Sequence, residues 1–383
     1  MLLLAGCTGN FGLSAPTPIA STPPPVAASP SPTITAATAE STAAAISIPV
    51  PTVLPAPAEI SPTPYPTLVT PTPPPTVAAT HGPTAAATST PAPTVLATPA
   101  EALATPPCPC DPACPCQINH VVIISIDGLR PDAIERADTP ILDGLRTQGA
   151  YSPAAQAVLP SVTLVNHAAM LSGMSPAKHG IYWNSNDPDL GKIKGPTLFS
   201  AAHEAGLSTA MVVGKPKLEH LVLPGSVDNY IYAGFTDRQV VNEAIPLIQT
   251  NMPALLFIHL PDVDSAGHAI GWMSLAQLLA VSMTDSLIGE IVAALQEQDY
   301  LSQTLLIITS DHGGSGRRHG SDSPEDTTIP WLAVGPGVPA GVVLPGEITT
   351  YDTAATALSA LRVPIPPEWD GRPVLEIFEP ASP

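Results

Sequence analysis

The chain has 383 residues, of which 50 are proline, and its 32 Asp and Glu against 13 Lys and Arg give a formal net charge of −19. Such acidity excludes nucleic acid as a general electrostatic partner, because phosphate backbones are gripped by Lys and Arg. It does not exclude a small anionic substrate, since bound cations reverse the sign locally.

Residues 1–7 read Met-Leu-Leu-Leu-Ala-Gly-Cys. An apolar run closing on Leu4-Ala5-Gly6-Cys7 resembles the bacterial lipoprotein signal, which implies export and a membrane tether through a lipidated Cys7 at the cell surface. The basic start and most of the apolar core of such a signal are missing. Residues 8–107 are dominated by Pro, Thr, Ala and Ser and contain no Lys or Arg. A segment this poor in large apolar side chains cannot offset its chain entropy, so a disordered or extended stalk is expected. In polyproline II form, at ~3.1 Å per residue, its reach approaches ~300 Å. Residues 108–117 hold Cys108, Cys110, Cys114 and Cys116. Local disulfides suit an exported protein, and metal binding through the C-x-C-x3-C-x-C spacing is the alternative. No uninterrupted apolar run of about 18–20 residues follows, so no spanning helix is expected.

Folding is expected to begin at Ile118, and residues 118–383 suffice for one sizeable core. The β-branched run Val121–Ile126 reads as a buried strand ending at Asp127-Gly128. A helix is expected over 138–148 and another over Thr163–Ser172. Thr209–Val213 and Ala254–Leu260 read as strands, Ser274–Gln298 as a long amphipathic helix, and Leu305–Ser310 as a strand running into Asp311-His312-Gly313-Gly314. This alternation implies an α/β fold with a mainly parallel central sheet sandwiched by helices. Ligands of such sheets bind beyond the carboxyl ends of the strands.

Metal-ligating side chains fall at those ends. Asp127, the pair Asp264 and His268, the pair Asp311 and His312, and His319 supply three carboxylates and three imidazoles. That is a three-ligand set for each of two metals, with positions left open for substrate oxygens. The mixed donor set suits Zn²⁺, with Mn²⁺ or Fe as alternatives. Taken singly, each piece also reads as a turn, a surface pair or a polar loop. Together and in order, they point to a metal centre. Thr163 stands at an expected helix start, where free backbone N–H groups favour an incoming anion, and a simple N-cap is the competing reading.

The succession IDGLRPD, PSVTLVNH, KHGIYWN, DSAGH, SDHGG and RHG is similar to the type I phosphodiesterase/nucleotide pyrophosphatase branch of the alkaline phosphatase superfamily, over roughly residues 118–376. The resemblance implies one metal on Asp127, Asp311 and His312, and a second on Asp264, His268 and His319. It further implies Thr163 as nucleophile and Asn184 as donor to a non-bridging phosphate oxygen. The chain departs from the family at Leu164-Val165, where Phe-Pro often follows the nucleophile, and in its short interval from His312 to His319.

The expected activity is hydrolysis of a small phosphate ester through a covalent phospho-threonine. A phosphomonoesterase on the same scaffold is the nearest alternative, with Arg130, Lys178, Lys215, Arg317 or Arg318 as candidates for the additional cation. A sulfatase lacks its C/S-x-P-x-R context here. A stalked surface binding protein would show lost ligands, whereas all six are present.

Overall fold

A computed structural model of the chain describes residues 118–378. The lipoprotein-type segment 1–7 with Cys7, the stalk 8–107 and the cysteine cluster 108–117 lie outside the described residues. The strands are β1 His120–Ile126, β2 Ala150–Gln156, β3 Thr209–Val213, β4 Asn229–Tyr232, β5 Leu255–Leu260, β6 Thr304–Thr309, β7 Thr328–Val334 and β8 Val342–Val343. The helices are α1 Pro131–Ile134, α2 Pro140–Gln148, α3 Thr163–Ser172, α4 Pro176–His179, α5 Leu198–Glu204, α6 Asp237–Asn251, α7 Asp262–Ile270, α8 Leu275–Glu297, α9 Pro324–Thr327 and α10 Asp352–Ala360.

All eight strands form one sheet in the order β4-β3-β5-β1-β6-β7-β2-β8. The five from β4 to β6 run parallel, and β7 is antiparallel to both of its neighbours. The expected mainly parallel sheet is present, with a reversed strand near one edge. Side chains alternate between two buried faces, as a strand period of two requires. Val121 and Ile123 enter one core with residues of α3, α5 and α10. Val122, Ile124 and Ile126 enter the other with residues of α2, α6 and α8. Burial on both faces explains why β1, β5 and β6 read as continuous apolar runs.

Helix α8 is long and apolar enough to cross a membrane by length and composition alone, with a mean hydropathy of 1.7 over its best window. Its buried residues include Leu278, Val281, Ile288, Ile291 and Leu295, which pack in the second core. It is thus a core helix, and it does structural work through its polar residues. Asp285 accepts from the backbone N–H groups of Ile141 and Leu142 at the start of α2. Thr284 donates to Asp237, whose carboxylate and that of Asp262 each accept the other's backbone N–H at 2.9 and 3.1 Å. This reciprocal cap ties the starts of α6 and α7 together and fixes α7, the carrier of Asp264 and His268, over the end of β5.

Candidate metal-binding active site

Strands β5, β1 and β6 are neighbours, so their carboxyl ends place Asp127, Asp311 and the start of α7 side by side. Gly128 makes this approach feasible. It has φ +73°, and a Cβ there would lie 3.1 Å from the Cα and Cβ of Asp264 and 3.2 Å from Trp272. Its N–H donates to Asp311 Oδ1 at 3.1 Å, and its carbonyl accepts from Trp272 Nε1 at 2.9 Å. Trp272 also lies against Gly267 and Gly314, where a Cβ would come within 2.7 and 2.2 Å of its ring. Gly267 of DSAGH and Gly314 of SDHGG therefore have a packing reason: they admit one indole, edge-on to His268 and His319 at 5.2 and 5.8 Å between centroids.

All six expected ligands converge. His312 Nε2 lies 3.5 Å from Asp127 Oδ1 and 3.3 Å from Asp311 Oδ2. Asp264 Oδ1 lies 3.4 Å from His268 Nε2 and 3.7 Å from His319 Nε2. The two groups adjoin through the stacked rings of His312 and His319, 3.8 Å apart. His312 is close enough to serve either group, since Asp264, His312 and His319 also cluster within metal-binding range.

Hydrogen bonding reveals what these atoms lack. The Nδ1–H groups of His312, His319 and His268 donate to the carbonyls of Gly313, Ser161 and Arg317 at 2.7, 2.9 and 3.0 Å. Each Nε2 therefore presents a lone pair, the tautomer a metal ligand requires. Asp127 Oδ1, Asp264 Oδ1 and Asp311 Oδ2 are buried and accept no hydrogen bond. Buried carboxylate oxygens facing imidazole lone pairs are costly unless a cation lies between them. The donor set fits two divalent metals, three hard or borderline ligands apiece.

The charge balance agrees. Burial pushes the Asp127 carboxyl up, but Lys215, His259 and His312 outweigh it and hold it well below the usual carboxylate range. Burial, then repulsion from Asp127, pushes Asp311 up to about 7, against the pull of His167. Burial lowers His312, and burial with the neighbouring His312 lowers His319 to about 4. His312 and His319 are thus neutral near pH 7 and available as ligands.

Several participants were hidden in the sequence. His259 sits inside the apolar run of β5. Its Nδ1 accepts from Gly214 N–H, which leaves Nε2–H to donate to Asp127 Oδ2 at 2.8 Å. His167 on α3 donates Nδ1–H to the Thr163 carbonyl at 2.8 Å, with its Nε2 2.9 Å from Ser125 Oγ. Of the five cations considered in the sequence, Lys215 joins one carboxylate of each group, contacting Asp127 Oδ2 at 2.8 Å and also Asp264. Arg130 closes on Asp132 and Lys178 on Asp370. Lys217, two residues on, donates to Asn184 Oδ1 at 2.9 Å. Leu198 and Phe199 are fully buried core.

Thr163 is the first residue of α3 and is 1 % exposed, and its Oγ1 lies 3.4 Å from His312 Nε2. Val162 occupies the N-cap position and no side chain caps the helix. The N-cap reading of Thr163 is therefore set aside, leaving its hydroxyl directed at the cluster. Asn184 stands beside it: its Oδ1 accepts from Leu164 N–H at 3.0 Å.

The type I phosphodiesterase / nucleotide pyrophosphatase family model matches residues 121–320, a span containing every residue of this site. An uncharacterized pyrophosphatase/phosphodiesterase of Schizosaccharomyces pombe is 28 % identical over 216 residues, covering 51 % of this chain and 44 % of that protein. Ectonucleotide pyrophosphatase/phosphodiesterase family member 3 of Mus musculus is 25 % identical over 226 residues, 53 % of this chain and 26 % of its own length. The chain thus spans less than half the length of these curated relatives. Murine ectonucleotide pyrophosphatase/phosphodiesterase 5, solved with AMP, superposes with a TM-score of 0.60 at 15 % identity, over 68 % of this chain and 99 % of that one. That likeness establishes an alkaline phosphatase-like fold. By the extent and position of the matched region, the chain belongs to the type I phosphodiesterase / nucleotide pyrophosphatase family.

Proposed function

We propose that the protein is a two-metal hydrolase of phosphate esters, acting on phosphodiester or pyrophosphate bonds through a phosphoryl group carried transiently on Thr163. One observation carries the reading: three buried carboxylate oxygens without hydrogen-bond partners face the lone pairs of three imidazoles beside a buried threonine hydroxyl. Family membership supports the diester and pyrophosphate class. Asp127, Asp311 and His312 would hold one metal and Asp264, His268 and His319 the other, with zinc best suited to the donors. When bound, the two ions neutralise the phosphate and favour ionisation of the attacking and leaving oxygens.

The chain's own residues supply the rest. Thr163 Oγ forms a bond to phosphorus as the ester P–O bond breaks, and water then cleaves the phospho-threonine. Asn184 holds a non-bridging oxygen through Nδ2, because Leu164 N–H and Lys217 occupy its Oδ1. His259 and His167 hold Asp127 and the Thr163 backbone in place. Two divalent cations and Lys215 against three carboxylates would leave the centre about two units positive, so an acidic protein still draws phosphate esters. Leu4-Ala5-Gly6-Cys7 supports a surface tether, tested by palmitate labelling of the wild type and a Cys7→Ser variant.

The test is turnover of bis-p-nitrophenyl phosphate by the zinc-loaded full chain. Hydrolysis that stops with EDTA and returns with zinc is expected. Turnover indifferent to chelation would contradict the reading.

A further inference from the structure

We infer that Lys217 extends this site to phosphomonoesters, by binding the second negative charge of a doubly ionised phosphoryl group; the inference rests on the hydrolase reading. Lys215 and Lys217 lie at the start of one turn, with Lys215 at the N-cap of the 3-10 segment Pro216–Leu221 that follows β3. Their surroundings differ. Lys215 is paired with Asp127 and Asp264. Among the described residues no carboxylate pairs with Lys217, whose ammonium reaches only the neutral Asn184 amide oxygen at 2.9 Å.

The half-buried Lys217 ammonium makes no ion pair, feels Asp127, Asp264 and Asp311 only at a distance and has the charge of Lys215 nearby, so an anion beside it is favoured. The position decides which anion. Asn184 Oδ1 also accepts from Leu164 N–H, and Leu164 follows Thr163 in the chain. The Lys217 ammonium and the nucleophile are therefore linked by one shared amide, placing the cation on the non-bridging side of the reacting phosphoryl group. A diester has two non-bridging oxygens sharing one charge. A monoester has three sharing two, and the extra oxygen and charge are what an unpaired ammonium there complements.

The experiment compares p-nitrophenyl phosphate with bis-p-nitrophenyl phosphate, using zinc-loaded full-length wild type, Lys217→Gln and Lys217→Arg. The wild type should hydrolyse both esters. In Lys217→Gln the monoester-to-diester ratio of kcat/KM should fall about tenfold or more, and Lys217→Arg should restore most of it. A ratio unchanged in Lys217→Gln, or no monoester turnover by a wild type active on the diester, would overturn the inference. Calorimetry with inorganic phosphate and dimethyl phosphate separates this from failure of the hydrolase reading. If neither ester is turned over, that reading fails, and weaker binding of inorganic phosphate alone in Lys217→Gln would still support the role of Lys217. Equal binding of both anions by wild type and variant would remove it.

Discussion

His268 Nε2 and His319 Nε2 face each other at 3.1 Å, although the Nδ1–H of each ring already donates to a backbone carbonyl. Both Nε2 atoms therefore carry lone pairs, and Asp264 Oδ1 adds a third acceptor at 3.4 and 3.7 Å. Three acceptors around one point repel unless a cation sits among them. A cation would hold this half of the site together, and the two halves are joined by the stacked His312 and His319 rings and by Lys215, which contacts one carboxylate of each.

Removing His268 should therefore empty one position and spare the other. Zinc bound after dialysis should fall from about two to about one per chain in His268→Ala, read by elemental mass spectrometry. Loss of both ions would mean that the two halves do not bind independently.

His259 positions Asp127 without meeting substrate. In His259→Ala the carboxylate loses the 2.8 Å donor that leaves its other oxygen free. Zinc affinity, measured by chelator competition, should weaken about 10- to 100-fold. His259→Gln, which keeps a donor, should recover part of this.

Gly128→Ala combines a left-handed φ of +73° with a Cβ 3.1 Å from Asp264. Urea unfolding should report a loss of about 1–3 kcal/mol, accompanied by weaker zinc binding. A substitution without effect on either would contradict the close approach of β1 and α7.

His179 lies outside the metal cluster and is fully buried, and burial lowers it to about 4. Its Nδ1 accepts from Ile181 N–H. Between pH 6.5 and 4 the unfolded chain binds a proton that the folded one refuses. Stability from this group is present above pH 6.5 and lost as pH falls through about 4. The acid slope of unfolding free energy should be shallower in His179→Gln, by on the order of 3 kcal/mol across that window. Equal slopes would show that His179 gains its proton in the folded state as readily as in the unfolded one.

The readable parts of the sequence share one property: their signal is local. Strands β1, β3, β5 and β6 are short apolar runs, and Asp127 and Asp311 lie within two residues of the ends of β1 and β6, so the strands and the ligands beyond them announce each other. Strand β7 is less plain because Pro330 interrupts its pattern, and β2 carries Pro153 where its register against β7 shifts. Asp264 and His268, four residues apart in the sequence, also read as a surface pair, and they share one face of α7. His259 was masked by its apolar neighbours, since a polar residue in a fully buried strand has no periodic signature. The partners of Lys217 and Trp272 are set by tertiary contacts, with Asn184 33 positions and Gly128 144 positions away.

The most direct measurement of the central claim is turnover and zinc content of Thr163→Ala measured together. Its hydroxyl lies 3.4 Å from His312 Nε2, and none of its side-chain atoms belongs to either three-ligand set. The account predicts two zinc ions per chain retained and kcat/KM for bis-p-nitrophenyl phosphate lowered at least ~1,000-fold. Retained turnover with both ions bound would contradict Thr163 as the nucleophile and require another attacking group at this centre.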